Sequence, residues 1–301
     1  VYKQFDTLVC VQGFKPVYDT LKQQGLPVVA ELPQGQTASM VIVELTRSKA
    51  ETLANIATGY DILEPGGALV VDGMKIDGVE SVLKAVKKLL PVDGTLSKAH
   101  GKVFWLTKTD TPPEFADWAR ALTPAKNAEG YFTAAGMFSP DAADAGSALL
   151  AEKIGDRLKG KGADLGAGWG WLARQALESN AAITSLALYE AENAALACAR
   201  RNVTDPRAEF HWADACSLTG PSDHDFVVMN PPFHQSRKAE PELGRQFIHT
   251  AARLLHAKGT LWMVANRQLA YEAALTAHFH TWEYLEQSPG FKCVRAAKPK
   301  H

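Results

Sequence analysis

An apolar run that opens on an acid and stops at Asn-Pro-Pro-Phe suggests where the chemistry of this chain lies. Asp225-Phe226-Val227-Val228-Met229 runs directly into Asn230-Pro231-Pro232-Phe233-His234. Two prolines cannot continue a central strand, because each lacks an N–H and fixes φ. The spacing therefore predicts a buried strand with a stiff loop at its C-terminal tip, the edge of an α/β sheet where ligands sit. Such a loop suits attack by a planar NH2 group, whose delocalised lone pair makes it a poor nucleophile. The side-chain oxygen of Asn230 and the carbonyl of Pro231 can accept the two N–H bonds, and Phe233 can stack on the ring that bears the amine. Asn230, Pro231, Pro232 and Phe233 are thus the candidate catalytic block, working by position and preorganised dipoles. On these four letters alone a strand-ending turn stays open, since Asn-Pro marks turns in general.

The second chemical signal is Asp164-Leu165-Gly166-Ala167-Gly168-Trp169-Gly170, preceded by a strand-like run and followed by a helix-like one. Glycines let a backbone approach a ligand closely. A nicotinamide fingerprint would place its third glycine three residues on. The GxGxG register with a leading Asp instead resembles motif I of class I S-adenosylmethionine methyltransferases. Under that resemblance Asp164, Gly166, Gly168 and Gly170 hold the cofactor. Two more acids end strand-like runs where that reading needs them: Glu190, about twenty residues on, for the ribose hydroxyls, and Asp214 for the adenine amine. Asn230 adjoins the same cofactor.

Elements must bring these tips together. The 301 residues are 46% hydrophobic and 22% charged, enough for a core and about two domains. The formal net charge is −1, balanced in both halves, so any nucleic-acid contact rests on local patches. Cys10, Cys198, Cys216 and Cys293 are widely spaced, with neither a CxxC nor a neighbouring His cluster. That pattern reads as reduced thiols in a cytoplasmic protein without a metal site. No run approaches a membrane span, and no signal peptide opens the chain.

Strand-like and helix-like runs alternate through the first half, implying parallel βαβ units. This half has no glycine loop and no Asn-Pro-Pro, yet it echoes the second. Val41-Ile42-Val43-Glu44 aligns with Val227-Val228-Met229-Asn230, and Ile62 to Val71 aligns with Leu254 to Val264. The expectation is an α/β chain of two tandem Rossmann-like methyltransferase domains, the first degenerate. Each would have a seven-stranded, mostly parallel sheet with a C-terminal antiparallel hairpin. Residues 1–125 form the degenerate domain and 126–301 the catalytic one, with the Pro-punctuated 109–127 between them. Ser139-Pro140-Asp141 predicts a helix start at Ser139 and a helix over 141–159. Phe138, just before it, is placed to line the substrate mouth.

With these residues in view, the chain resembles the bacterial small-subunit ribosomal RNA (guanine-N2) methyltransferase C family over nearly its whole length. Gly136-Met137-Phe138-Ser139, the Asp164 loop, Asn230 to His234, Val264-Ala265-Asn266 and Phe291-Lys292 support the resemblance. It implies methyl transfer from S-adenosylmethionine to the N2 amine of a guanine in 16S rRNA or the small ribosomal subunit. It further implies that Phe138, Phe233, His234, Arg237, Lys238 and Lys292 meet the RNA, and that the enzyme is a cytoplasmic monomer needing no metal. The chain starts at Val1 without Met and is shorter at that end than the family, so an N-terminal segment is expected to be missing. The Asn-Pro-Pro-Phe tetrapeptide is shared with adenine-N6 and protein-glutamine methyltransferases, which are the alternative substrates. A non-catalytic RNA-binding assembly factor is a further alternative, and a nicotinamide oxidoreductase is disfavoured by the glycine register.

Overall fold

A computed structural model describes residues 7–110, 114–232 and 241–300. In chain order, strands β1 (Cys10–Val11) and β2 (Val28–Val29) pair in parallel around helix α1 (Lys15–Gln23). Strand β3 (Ala38–Glu44), helix α2 (Lys49–Asp61) and strand β4 (Leu63–Met74) follow, then helix α3 (Val79–Val86) and strands β5 (Gly94–Lys98) and β6 (Gly101–Thr107). After helix α4 (Ala116–Arg120) come the short strands β7 (Ala125–Lys126) and β8 (Phe132–Thr133). The remainder is α5 (Ala145–Ile154), β9 (Gly160–Leu165), α6 (Trp171–Ser179), β10 (Ile183–Glu190), α7 (Asn193–Asn202), β11 (Ala208–Trp212), β12 (His224–Met229), α8 (Pro241–Leu254), β13 (Leu255–Asn266), α9 (Glu272–His278), β14 (Phe279–Gln287) and β15 (Phe291–Pro299).

Two compact units result, and they do not follow a single cut between 125 and 126. One comprises 1–31, 127–132 and 141–301; the other comprises 32–126 and 133–140. Residues at the N-terminus join the larger unit because β1, α1 and their loop bond to its β10–α7 turn. Gly13 carbonyl accepts from the Asn193 N–H at 2.9 Å, and Lys15 N–H donates to Ala191 carbonyl at 2.9 Å. The Trp212 indole N–H reaches both Gly13 and Ala191 carbonyls. No sequence signal announced these contacts.

The larger unit holds the expected seven-stranded sheet, ordered β11-β10-β9-β12-β13-β15-β14. Five strands are parallel, and the β14–β15 hairpin is antiparallel, joined to β13 through β15. Strand β12 shows why the sheet sits between helices. Phe226 and Val228 join one buried cluster with Leu150, Ile154, Leu172 and Leu177, while Val227 and Met229 join another with Phe247, Ile248 and Leu275. A strand buried on both faces reads as a continuous apolar run, and each such side chain contributes about 1.5–3 kcal/mol by leaving water. Gly162 on β9 has no side chain because the Phe226 ring occupies its place: a Cβ there would lie 2.0 Å from the ring.

The smaller unit has a four-stranded sheet, β3-β4-β6-β5. Its β3–α2–β4 is a parallel βαβ unit, but β6 runs antiparallel to both β4 and β5. The seven strands expected for this half are therefore corrected to four in this sheet, of which only the β3–β4 pair is parallel. Ala99 and His100, at φ 48° and 61°, join β5 to β6 in a two-residue hairpin, the backbone such turns require. Without an Asn-Gly pair that turn left no mark in the sequence. Strand order and directions in this sheet equal those of β12-β13-β15-β14 in the larger one.

Candidate active site

Register brings the strand tips level. Leu165 of β9 lies between Tyr189 of β10 and Met229 of β12. One residue further on, Gly166, Glu190 and Asn230 leave three adjacent strands side by side. Glu190 also pairs with Trp212 of β11, which puts Asp214 two residues past the next tip. All four sequence-derived positions thus share the carboxyl edge at the point where the strand order reverses, the crevice that binds ligands in open α/β sheets.

The loop after β9 turns on glycines at positive φ, 75° at Gly166, 56° at Gly168 and 88° at Gly170. The Gly168 N–H donates to Glu190 Oε2 at 2.7 Å, and the Glu192 N–H donates to Glu190 Oε1 at 2.8 Å. Asp164 lies just beneath, 1% exposed, and its Oδ2 has no hydrogen-bond partner. Burial, and then the neighbouring Glu190 charge, push the Asp164 carboxyl up to about 8, against one bond from the Ala173 N–H. Burial also raises Glu190, opposed by its backbone N–H donors. Asp214 caps a 3-10 turn, Ala215–Ser217, its Oδ1 accepting from the Cys216 N–H at 2.8 Å.

Asn202, at the end of α7, braces the glycine loop. It is buried, donates to the Trp169 carbonyl at 2.8 Å and the Phe132 carbonyl at 2.9 Å, and accepts from the Phe132 N–H at 2.7 Å. Tyr131 packs beside Trp169 at 5.1 Å between ring centroids. Sequence reading passed over Asn202, whose partners lie 33 and 70 residues away.

Asn230 is held from the opposite side. Its Nδ2 donates to Asp144 Oδ2 at 2.9 Å and to Ser147 Oγ at 3.0 Å. Asp144 is also the N-cap of α5, accepting from the Ser147 N–H at 2.9 Å. The helix therefore begins at Ala145, four residues after the expected Asp141, and ends at Ile154, five residues before the expected Lys159. Ser139 stands at φ 44° and turns the chain instead. The overlooked signal was Asp144-x-x-Ser147, a cap followed three residues later by its N–H donor. Ser139-Pro140-Asp141 imitates the same feature.

Pro231 is buried and Pro232 exposed. Phe233, His234, Arg237 and Lys238 lie outside the described residues. Phe138 is 55% exposed and belongs to the smaller unit. Lys292 corrects the expectation of an RNA-facing charge: it is buried, and its Nζ lies 2.6 Å from Glu272. An ammonium fixed by a carboxylate in the sheet interior is not presented to a phosphate.

These residues fit an adenosyl sulfonium ligand. An orphan buried carboxylate oxygen calls for positive charge, and a Cβ on Gly168 would meet nothing within 4 Å, so there is room before the loop. The edge, the strand order and the terminal hairpin define a class I methyltransferase. Consistent with this, the methyltransferase small domain matches residues 130–295, and the chain belongs to that family as an S-adenosylmethionine-dependent methyltransferase. It is similar to the ribosomal RNA small subunit methyltransferase C of Shewanella oneidensis, 29% identical over 83% of this chain and 74% of the relative. The ribosomal RNA large subunit methyltransferase G of Yersinia pestis is 26% identical over 91% and 70%. The fold matches the 16S rRNA N2 G1207 methyltransferase of T. thermophilus, solved with AdoMet and guanosine. That match has a TM-score of 0.81 and 23% identity, and covers 96% of this chain and 82% of that one.

Proposed function

We propose that the chain transfers a methyl group from S-adenosylmethionine to the exocyclic N2 amine of a guanine in 16S rRNA. The observation that supports this best is the fixed amide of Asn230 at the carboxyl edge. A carboxylate accepts and does not donate, so the atom of Asn230 that faces Asp144 is its nitrogen. Its carbonyl oxygen Oδ1 is then the pole that accepts an amine N–H. The bound cofactor supplies a methyl already activated by its sulfonium. Asn230 Oδ1 and the Pro231 carbonyl hold the two amine hydrogens and so aim the nitrogen lone pair at that methyl, which the cofactor, when bound, would give up with the S–C electron pair left on sulfur. The methylated nitrogen then loses one proton to water. Asp164, Gly166, Gly168, Gly170, Glu190 and Asp214 hold the cofactor, and Phe233 stacks on the guanine. A base inside a duplex cannot present its amine to such a pocket, so the guanine is unstacked first.

The equal strand order of the two sheets supports an internal duplication, in which the smaller unit is a degenerate methyltransferase half that serves as scaffold and RNA platform. The protein acts as a cytoplasmic monomer. Tritiated S-adenosylmethionine offered with undermethylated 30S subunits, 50S subunits, naked 16S rRNA and total protein tests the assignment. Label is expected in N2-methylguanosine from 16S rRNA. The same nucleoside from 23S rRNA would move the substrate to the large subunit, as the Yersinia relative's name allows. Label in N6-methyladenosine or glutamine would keep the site and replace the acceptor.

A further inference from the structure

Asn230 is not the last residue of the amine-binding apparatus. We infer that Asp144 and Ser147 form a positioning pair that orients Asn230 and makes its carbonyl a stronger acceptor for the amine. This rests on the reading that Asn230 Oδ1 binds the substrate amine. Three observations support it. Both N–H bonds of Asn230 end on this pair, at 2.9 Å and 3.0 Å, so rotating the amide by half a turn would set Oδ1 against a carboxylate. Asp144 is itself immobilised, because the oxygen that accepts from Asn230 also accepts from the Ser147 N–H at the start of α5. The site is also tight: a Cβ on Gly146 would fall 3.0 Å from Asp144 Oδ2 and 2.9 Å from the Phe291 ring.

The consequence is electrostatic as well as geometric. Bond formation puts positive charge on the amine nitrogen, and a neutral amide oxygen is a modest acceptor for it. An N–H···O⁻ bond behind the amide draws electron density onto Oδ1, since hydrogen bonds in series polarise one another and ionised acceptors give stronger bonds. The carboxylate thus opposes the charge of the transition state through Asn230 without touching the substrate. Ser147 occupies the second N–H, so the amide has one orientation.

Single-turnover and steady-state kinetics on Asp144→Asn, Asn230→Asp, the double variant and Asn230→Ala test this, with cofactor affinity measured by calorimetry to confirm folding. Asp144→Asn keeps an acceptor for Asn230 and for the Ser147 N–H but removes the charge. Its kcat is expected to fall about tenfold with KM within about threefold, the signature of an interaction realised in the transition state. Asn230→Asp sets two carboxylates against each other and is expected to lose about 100-fold or more, comparable to deleting a preorganised dipole. Combining it with Asp144→Asn removes the repulsion between the two carboxylates while the introduced asparagine keeps an oxygen on the Ser147 N–H, and is expected to recover at least about tenfold over Asn230→Asp alone. A wild-type kcat in Asp144→Asn, or no recovery in the double variant, overturns the pair. Wild-type kcat in Asn230→Ala would instead remove the underlying role of Asn230, so the two failures are distinguishable.

Discussion

Replacing Asp164 by asparagine is expected to stabilise the ligand-free protein and to weaken its hold on the cofactor, with both effects set by pH. The carboxyl is 1% exposed, its Oδ2 has no partner, and its pKa is raised from 3.8 to about 8. A group whose folded pKa is raised contributes stability that is fully present below its unfolded pKa and is lost as pH rises through the folded one. Between pH 4 and 8 the folded state must therefore bind a proton that the unfolded chain has released. At pH 7 that costs at most about 4 kcal/mol, from 1.36 kcal/mol per unit over about three units. The Asp164→Asn advantage in melting temperature should be absent near pH 3.5, grow through neutrality and level off above pH 8. Cofactor binding runs the other way. A sulfonium cation favours the ionised carboxyl, so affinity should rise by up to about tenfold per unit from pH 6 to 8, with proton release on binding. Glu190, also raised by burial, faces the same loop. Calorimetry at several pH values, in buffers of different ionisation enthalpy, reads both quantities. A flat affinity with no proton release in the wild type, together with an unchanged melting curve for Asp164→Asn, would refute the argument.

Asn230→Ala should leave cofactor affinity near wild type and lower methyl transfer by about 100- to 1,000-fold, the scale of a lost preorganised dipole; unchanged turnover with a methylated product would remove its role. Asn202→Ala removes its bonds to the carbonyls of Phe132 and Trp169 and to the Phe132 N–H. Denaturant unfolding should show a loss of about 2–4 kcal/mol, and the loosened glycine loop should bind cofactor more weakly; retention of both values would sink the brace. Burial opposes ionisation of Glu272, but the bonds from Lys292 and Tyr284 win and hold its carboxyl down at about 2. Its contribution to stability is present above about pH 4.5 and is lost as pH falls toward 2. Glu272→Gln should therefore flatten melting temperature across that window, and an acid limb identical to wild type would contradict the assignment.

The sequence was sufficient wherever the cause is local along the chain. Continuous apolar runs such as Phe226 to Met229 specify strands buried on both faces, because only such strands lack alternation. Glycines at 166, 168 and 170 mark a turn in which three residues adopt left-handed φ. Strand tips ending in Asp164, Glu190, Asp214 and Asn230 could be placed on one edge because parallel strands leave the sheet at the same end. What it could not decide were contacts whose free energy arises between residues far apart in sequence. Asp144 and Ser147 look like an ordinary helix cap until β12 delivers Asn230, 86 and 83 residues on, to their side chains. Lys292 reads as a surface charge in a basic tail, yet the register of β15 against β13 carries it inside, where burial demands an acid and Glu272 supplies it. The same holds for the N-terminal segment, which joins the larger unit through backbone bonds of Gly13 and Lys15 to residues near 191–193. Backbone donors and acceptors are identical at every residue, so no side-chain pattern could announce that pairing; only the closed tertiary structure selects it.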